Sequence, residues 1–231
     1  MNIWITGASK GIGKAIAGEL LRDDHKVAVS SRDKSLLDKV YGSVNGDVLI
    51  RIPHDVRSFE QVNEAANRII NKFGSIDVLI NNAGITKFKP VSETTIEEFD
   101  EIIDVNLKGV VNCIKAVLPH MTERQRGWIV NIISVTVNKV FTNSGAYASS
   151  KAGVLALTNV LREEVRDKGI KVTSIIPGAT GTEMWPAGIL EKYEERMMQA
   201  DDVAKVVASV LRSPDSIMME EVLVRPQLGD L

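Results

Sequence analysis

The sequence predicts an α/β protein: a doubly wound, parallel, seven-stranded sheet with helices on both faces, folded as a single domain over residues 1–231. Three observations carry this expectation. Short β-rich runs alternate with runs of helical period from one end of the chain to the other. Most of the β-rich runs are continuously apolar rather than alternating, the pattern of strands covered on both faces. No linker rich in Pro, Gly or Ser, no repeat and no low-complexity segment divides the chain.

Taken in order, the strands are expected at 3–5, 27–29, 48–50, 78–80, 129–130, 172–176 and 222–224. Between them, Ser58-Phe59-Glu60-Gln61 has the form of a capping box, with Val62, Ala66, Ile69 and Phe73 at helical spacing until Gly74. Thr95-Ile96-Glu97-Glu98 opens a second helix that carries Phe99, Ile103, Leu107, Val110, Ile114 and Val117. A third is expected from about 145 to 168. Segment 179–199 has weak periodicity and the length of a substrate lid. The closing residues, 224–231, carry no legible role.

Composition excludes several classes. Hydrophobic residues make up 44% and charged residues 25%, enough to build a core and solvate its outside, so disorder is excluded. The formal net charge is −2 and no two Lys or Arg residues adjoin, which argues against nucleic acid as a partner. No apolar stretch approaches the roughly 18–20 residues of a membrane span. Met1 leads directly into Asn2-Ile3-Trp4-Ile5 without a charged segment, so no signal peptide is expected. The single cysteine, Cys113, has no internal disulfide partner and reads as a buried, inert thiol on an apolar helix. A soluble cytoplasmic protein is the expectation. His25, His54 and His120 lack metal-ligand spacing, so no metal site is expected.

The first strand ends in Thr6-Gly7-Ala8-Ser9-Lys10-Gly11-Ile12-Gly13, and a helix follows. Glycines at a strand-to-helix turn let the backbone approach a ligand, and the helix N-terminus offers free N–H groups to a phosphate. Turns and tight helix–strand packing also use glycine. Asn81-Asn82-Ala83-Gly84 follows the fourth strand, and Asn106 lies within the next helix. Ser134 ends the fifth strand, Tyr147 and Lys151 form Tyr-x-x-x-Lys, and Pro177-Gly178 with Thr182 follows the sixth. In this order and spacing the chain resembles the short-chain dehydrogenase/reductase family along nearly its whole length, and the resemblance implies a Rossmann fold.

It further implies that Ser134, Tyr147, Lys151 and Asn106 are catalytic. Four residues apart on a helix, Tyr147 and Lys151 share a face. The family's tyrosine is general acid in reduction, and a nearby ammonium is expected to lower its pKa. Ser134 would bind the substrate oxygen, and Asn106 would place a water that links Lys151 to solvent. A mid-helix Asn is otherwise explained by a bond to a neighbouring loop. The cofactor-binding set implied is Gly7, Ser9, Lys10, Gly11, Ile12, Gly13, Ser31, Arg32, Asp55, Val56, Asn82, Ala83, Gly84, Tyr147, Lys151, Pro177, Gly178, Thr180 and Thr182.

The end of the second strand reads Ser30-Ser31-Arg32, without the carboxylate that would accept from an NAD ribose. Arg32 and Lys10 suit the 2′-phosphate of NADP instead, although solvated surface charges are the alternative. NADPH is therefore expected, with a small-molecule carbonyl as substrate. Ser134, Val135, Phe141, Tyr147, Met184 and Trp185 are expected to contact it, with Val137, Asn143, Ile189 and Leu190 nearby.

Two alternatives accompany the carbonyl reductase. A 3-oxoacyl-carrier-protein reductase would place cations such as Arg124, Arg126 and Lys168 at the mouth of the site. A dinucleotide sensor without turnover would usually have lost the tyrosine or lysine. A homodimer or homotetramer is expected, paired through Leu107, Val111, Ile114, Leu118, Val154, Leu157 and Leu161 unless these pack on their own sheet.

Overall fold

The computed structural model describes residues 1–230. Its strands are β1 (Asn2–Thr6), β2 (Lys26–Ser31), β3 (Leu49–Pro53), β4 (Val78–Asn81), β5 (Gly127–Ile132), β6 (Ile170–Pro177), the two-residue β7 (Thr180–Gly181) and β8 (Met198–Gln199), and β9 (Glu221–Val224). The helices are α1 (Gly11–Arg22), α2 (Lys34–Tyr41), α3 (Phe59–Phe73), α4 (Ile96–Ile103), α5 (Gly109–Glu123), α6 (Gly145–Val165), α7 (Ala187–Tyr193) and α8 (Ala200–Leu211). The main sheet runs β3-β2-β1-β4-β5-β6-β9, and every pairing is parallel. Strand order reverses between β1 and β4, which opens a crevice at the carboxyl ends of the strands.

Alternation along the strands feeds two cores. On β1, Trp4 joins Ile69, Val117 and Val154 on the α3–α5–α6 face. Ile3 and Ile5 join Ile16, Leu20 and Val207 on the α1–α8 face. These side chains are fully buried or nearly so, each worth roughly 1.5–3 kcal/mol of burial, which is why the runs are apolar on both faces. Cys113 is buried here, and burial pushes its thiol up to about 12, an unreactive state. Among the described residues, no helix is long and apolar enough to cross a membrane.

Several expectations are corrected. The third strand starts at Leu49, one residue later than its apolar run. The capping box before α3 is half formed: the Ser58 hydroxyl accepts from the Gln61 amide, while Gln61 Oε1 accepts from the Asp55 amide at 3.0 Å instead. The single helix expected from Thr95 is interrupted by a π-helical turn, Asp104–Lys108, between α4 and α5. Of the residues expected to pair subunits, Ile114, Val154 and Leu161 are buried in the chain's own core. Leu107, Leu118 and Leu157 pack at its rim. Leu107, Val111, Leu118 and Leu157 remain only partly buried, so the sheet does not use up this face. Segment 179–199 is pinned at its base where β7 pairs with β8, and it carries α7 between them.

Candidate active site

Local geometry builds the first wall. Gly7 sits at φ +64°, and a Cβ there would lie 2.7 Å from the Ala83 backbone. Gly13 is closed off too, since its Cβ would stand 2.4 Å from the Gly7 carbonyl and from Asn82 Nδ2. The Asn82 side chain donates to the Thr6 and Gly7 carbonyls at 3.1 and 3.0 Å, and Thr6 Oγ1 accepts from the Asn82 and Ala83 amides. The end of β4 is thereby laced to the glycine turn. Among the described residues no side chain caps α1, and its first turn carries no acid, so its free N–H groups stand open for an anion.

One cleft of about 770 Å³ gathers most of the expected residues. Gly7, Ser9, Lys10, Gly11, Ile12, Ser31, Arg32, Asp55 and Val56 line one half. Asn82, Ala83, Gly84, Ser134, Tyr147, Lys151, Pro177, Gly178, Thr180 and Thr182 line its middle, and Val135, Phe141, Met184 and Trp185 its far end. Gly13 and Asn106 stand behind the wall rather than on it. Of the neighbours expected near the substrate, Ile189 lines the cleft, whereas Val137, Asn143 and Leu190 lie outside the lining.

At the middle, α6 brings Tyr147 and Lys151 to the end of β5. Lys151, only 4% exposed, donates from Nζ to the Ile132 carbonyl at 2.8 Å. Asn81 donates to Asn131, which donates to Thr158, a buried chain that fixes α6 on the sheet. Burial pulls the Lys151 ammonium down to about 8. Burial pushes the Tyr147 phenol up to about 12, against a smaller downward pull from the neighbouring Ser134 hydroxyl. The expected lowering of the tyrosine by its lysine is therefore reversed here. Lys151 Nζ lies over the Tyr147 ring, 5.7 Å from its centroid, and loss of water sets the direction of the shift. At neutral pH the phenol keeps its proton and the ammonium its charge.

Asn106 is completely buried at the π-helical turn. Its Oδ1 accepts from the Ile85 amide at 2.8 Å, and its Nδ2 donates to the Ile85 carbonyl and to Ser150 Oγ. The side chain thus ties α6 to the loop after β4, directly behind Gly84, where a Cβ would meet Asn106 Oδ1 at 3.4 Å and Lys151 Nζ at 3.7 Å.

At the β2 end, Arg32 and Lys10 are exposed, and neither cationic head makes a hydrogen bond or ion pair among the described residues. The neighbouring acids are engaged elsewhere. Asp33 caps α2, accepting from Leu36 N at 3.0 Å and Ser35 Oγ at 2.6 Å. Asp55 is held by the Arg57 guanidinium, whose hydrogen bonds keep its carboxyl below the usual range.

The far end holds a contact missed from sequence: Phe88 stacks on Trp185, with centroids 5.2 Å apart and planes 10° from parallel. Phe88 lies in the loop after β4, and an aromatic set between Lys87 and Lys89 was the available signal. Arg124, Arg126 and Lys168 precede β5 and β6 at the amino ends of the strands. They do not border the cleft, so they lend no support to an acidic carrier-protein partner.

Comparison with known proteins agrees with this geometry. The family model for short chain dehydrogenases matches residues 1–191. An uncharacterized oxidoreductase of Staphylococcus aureus is 34% identical over 222 residues, covering 96% of this chain and 95% of the relative. An alcohol dehydrogenase from Thermococcus sibiricus, solved with 5-hydroxy-NADP, superposes with a TM-score of 0.89 at 30% identity, over 99% of this chain and 97% of that one. The closed form of a serine dehydrogenase complexed with NADP+ gives 0.92 at 29% identity, over 97% of this chain and 94% of that one. The chain belongs to the short-chain dehydrogenase family and is an oxidoreductase of that family.

Proposed function

We propose that this protein is an NADPH-dependent reductase of apolar ketones or aldehydes. The observation that carries the reading is Tyr147, with Lys151 Nζ 5.7 Å from its ring centroid and Ser134 in the same lining, where the phosphate-ready part of the cleft meets its apolar part. The residues present suit the cofactor. The open N-terminus of α1 and the Gly7–Gly13 turn would take the diphosphate. Arg32 and Lys10 would take the 2′-phosphate, and Asp55 and Val56 the adenine. Asn82 to Gly84, Tyr147, Lys151 and the stretch from Pro177 to Thr182 would border the nicotinamide end. Bound NADPH supplies the hydride.

The protein's own groups supply the rest. The Tyr147 hydroxyl donates its proton to the substrate oxygen as charge grows there, and the Ser134 hydroxyl donates a hydrogen bond to the same oxygen. The Lys151 ammonium near the ring stabilises the phenolate left behind. Asn106, through Ser150, keeps α6 in place for this transfer. Val135, Phe141, Met184, Trp185, Phe88 and Ile189 make the far end apolar, which favours hydrophobic or aromatic carbonyl compounds over sugars.

The test is a panel of ketones, diketones, quinones and 3-oxoacyl thioesters assayed with NADPH for the wild type and Tyr147→Phe. Turnover should fall at least about 10²-fold in the variant with NADPH affinity kept. A variant with near-normal turnover, or a wild type that binds NADPH and reduces nothing in the panel, overturns the proposal.

A further inference from the structure

The closing segment folds back onto the substrate side of the cleft. Beyond β9 the chain turns at Pro226–Gly229, with Gly229 at φ +84°, and delivers Asp230 into a ring of cations. Its side chain is 1% exposed. One carboxylate oxygen accepts from Lys139 Nζ at 3.1 Å, and both accept from the Arg225 guanidinium. Its backbone carbonyl accepts from Arg196 at 3.3 Å.

Each of these three cations continues into a different wall of the cleft. Lys139 follows the Ser134 turn, bonds back to the Val135 carbonyl and lies over the Phe141 ring, 5.6 Å from its centroid. Arg225 backs the Pro177–Gly178 turn: the Gly178 amide donates to the Val224 carbonyl at 2.7 Å, and a Cβ on Gly178 would stand 3.3 Å from Arg225 Cα. Arg196 ends the excursion that carries α7, just before the β7–β8 pairing. A buried carboxylate is stable only when paired, so the Lys139 and Arg225 contacts stand or fall together, while Arg196 is held by the backbone they fix.

We infer that Asp230 is a positioning residue for the reduction: through Lys139, Arg225 and Arg196 it locks the Phe141 wall, the Pro177–Gly178 turn and the base of segment 179–199 into one surface that shapes the substrate end of the cleft. Its kinetic consequence rests on the reductase reading, while its structural consequence does not. None of the three cations touches the Gly7–Gly13 turn or Arg32, so the parts of the cleft suited to the cofactor's phosphates are spared, although the Pro177–Gly178 turn would also border the nicotinamide end.

The test compares wild type, Asp230→Asn and Asp230→Glu by amide hydrogen exchange, NADPH titration and kinetics. In Asp230→Asn, exchange across 135–144 and 176–180 should quicken by about tenfold, the loss expected for a charge-assisted contact. KM for the carbonyl compound should rise by about the same factor, with kcat and NADPH affinity nearly unchanged. Asp230→Glu, which keeps the charge, should fall between the two. Unchanged exchange in both segments overturns the inference, as does faster exchange with an unchanged KM. A parallel loss of NADPH affinity overturns it too, since that marks general loosening. If the segments loosen as expected while wild type reduces no carbonyl compound, the lock stands and the reductase reading fails.

Discussion

Removing the Arg32 side chain is the most direct probe of cofactor choice, because the rim of the cleft around it is electrostatically simple. The guanidinium is unpaired among the described residues, and the two nearest carboxylates are engaged, Asp33 by the α2 cap and Asp55 by Arg57. A charge-assisted bond to a phosphate is worth roughly 1.5–3 kcal/mol. Arg32 is exposed, so water and salt screen it and the lower end applies. Arg32→Ala should therefore weaken NADPH by about tenfold. The Arg32→Ala/Lys10→Ala double variant should weaken it by about a hundredfold, because Lys10 adds a second cation to the same lining. NADH lacks the 2′-phosphate and should bind each variant about as well as wild type. Ser31→Asp goes further by placing an anion at the end of β2, where the Ser31 hydroxyl now donates to the Asp33 carbonyl. The measurement is the ratio of kcat/KM for NADPH over NADH. A wild type that prefers NADH, or a ratio indifferent to Arg32→Ala, refutes the assignment.

Four other outcomes are expected. For reduction, kcat/KM should be level through neutral pH and fall as pH rises through about 8, where Lys151 loses its proton, while Tyr147 stays protonated to about 12; a profile flat to pH 10 contradicts this. The depressed lysine also costs stability. From its ordinary 10.5 to about 8 corresponds to roughly 3 kcal/mol, present in full below pH 8 and relieved as pH rises toward 10.5, where the unfolded chain also loses its proton. Lys151→Met should then abolish turnover yet raise the denaturation midpoint at pH 7, and a lower midpoint would contradict the burial argument. Gly13→Ala forces a Cβ to within 2.4 Å of the Gly7 carbonyl, so it should destabilise by about 1–3 kcal/mol and abolish NADPH binding, read by thermal melts and titration. We propose a homodimer or homotetramer, with Ile96, Phe99 and Val160 the apolar side chains still exposed on α4 and α6; a monomer by light scattering at micromolar concentration counts against it.

The sequence alone determined what depends on short stretches of chain. Doubly covered strands must be continuously apolar, so the runs around Ile5, Val29, Ile80, Val130 and Ile176 announced a parallel sheet. The glycine turn after β1 and the Tyr147–Lys151 pair were legible for the same reason, since each works through spacing within one turn or one helix face. The tertiary structure decided whatever depends on segments distant in sequence. Asn106 breaks its helix because its amide answers Ile85 and Ser150, and periodicity contains neither partner. The Tyr147 phenol is pushed up rather than lowered because the packed site removes water from it, a property of the assembled walls and not of Tyr-x-x-x-Lys. Phe88 meets Trp185, and Asp230 meets Lys139, only after the sheet has brought four separate loops to its carboxyl edge. Local patterns fix which elements form, but the desolvation and pairing of polar groups are set by what packs against them, and that is settled only when the fold closes.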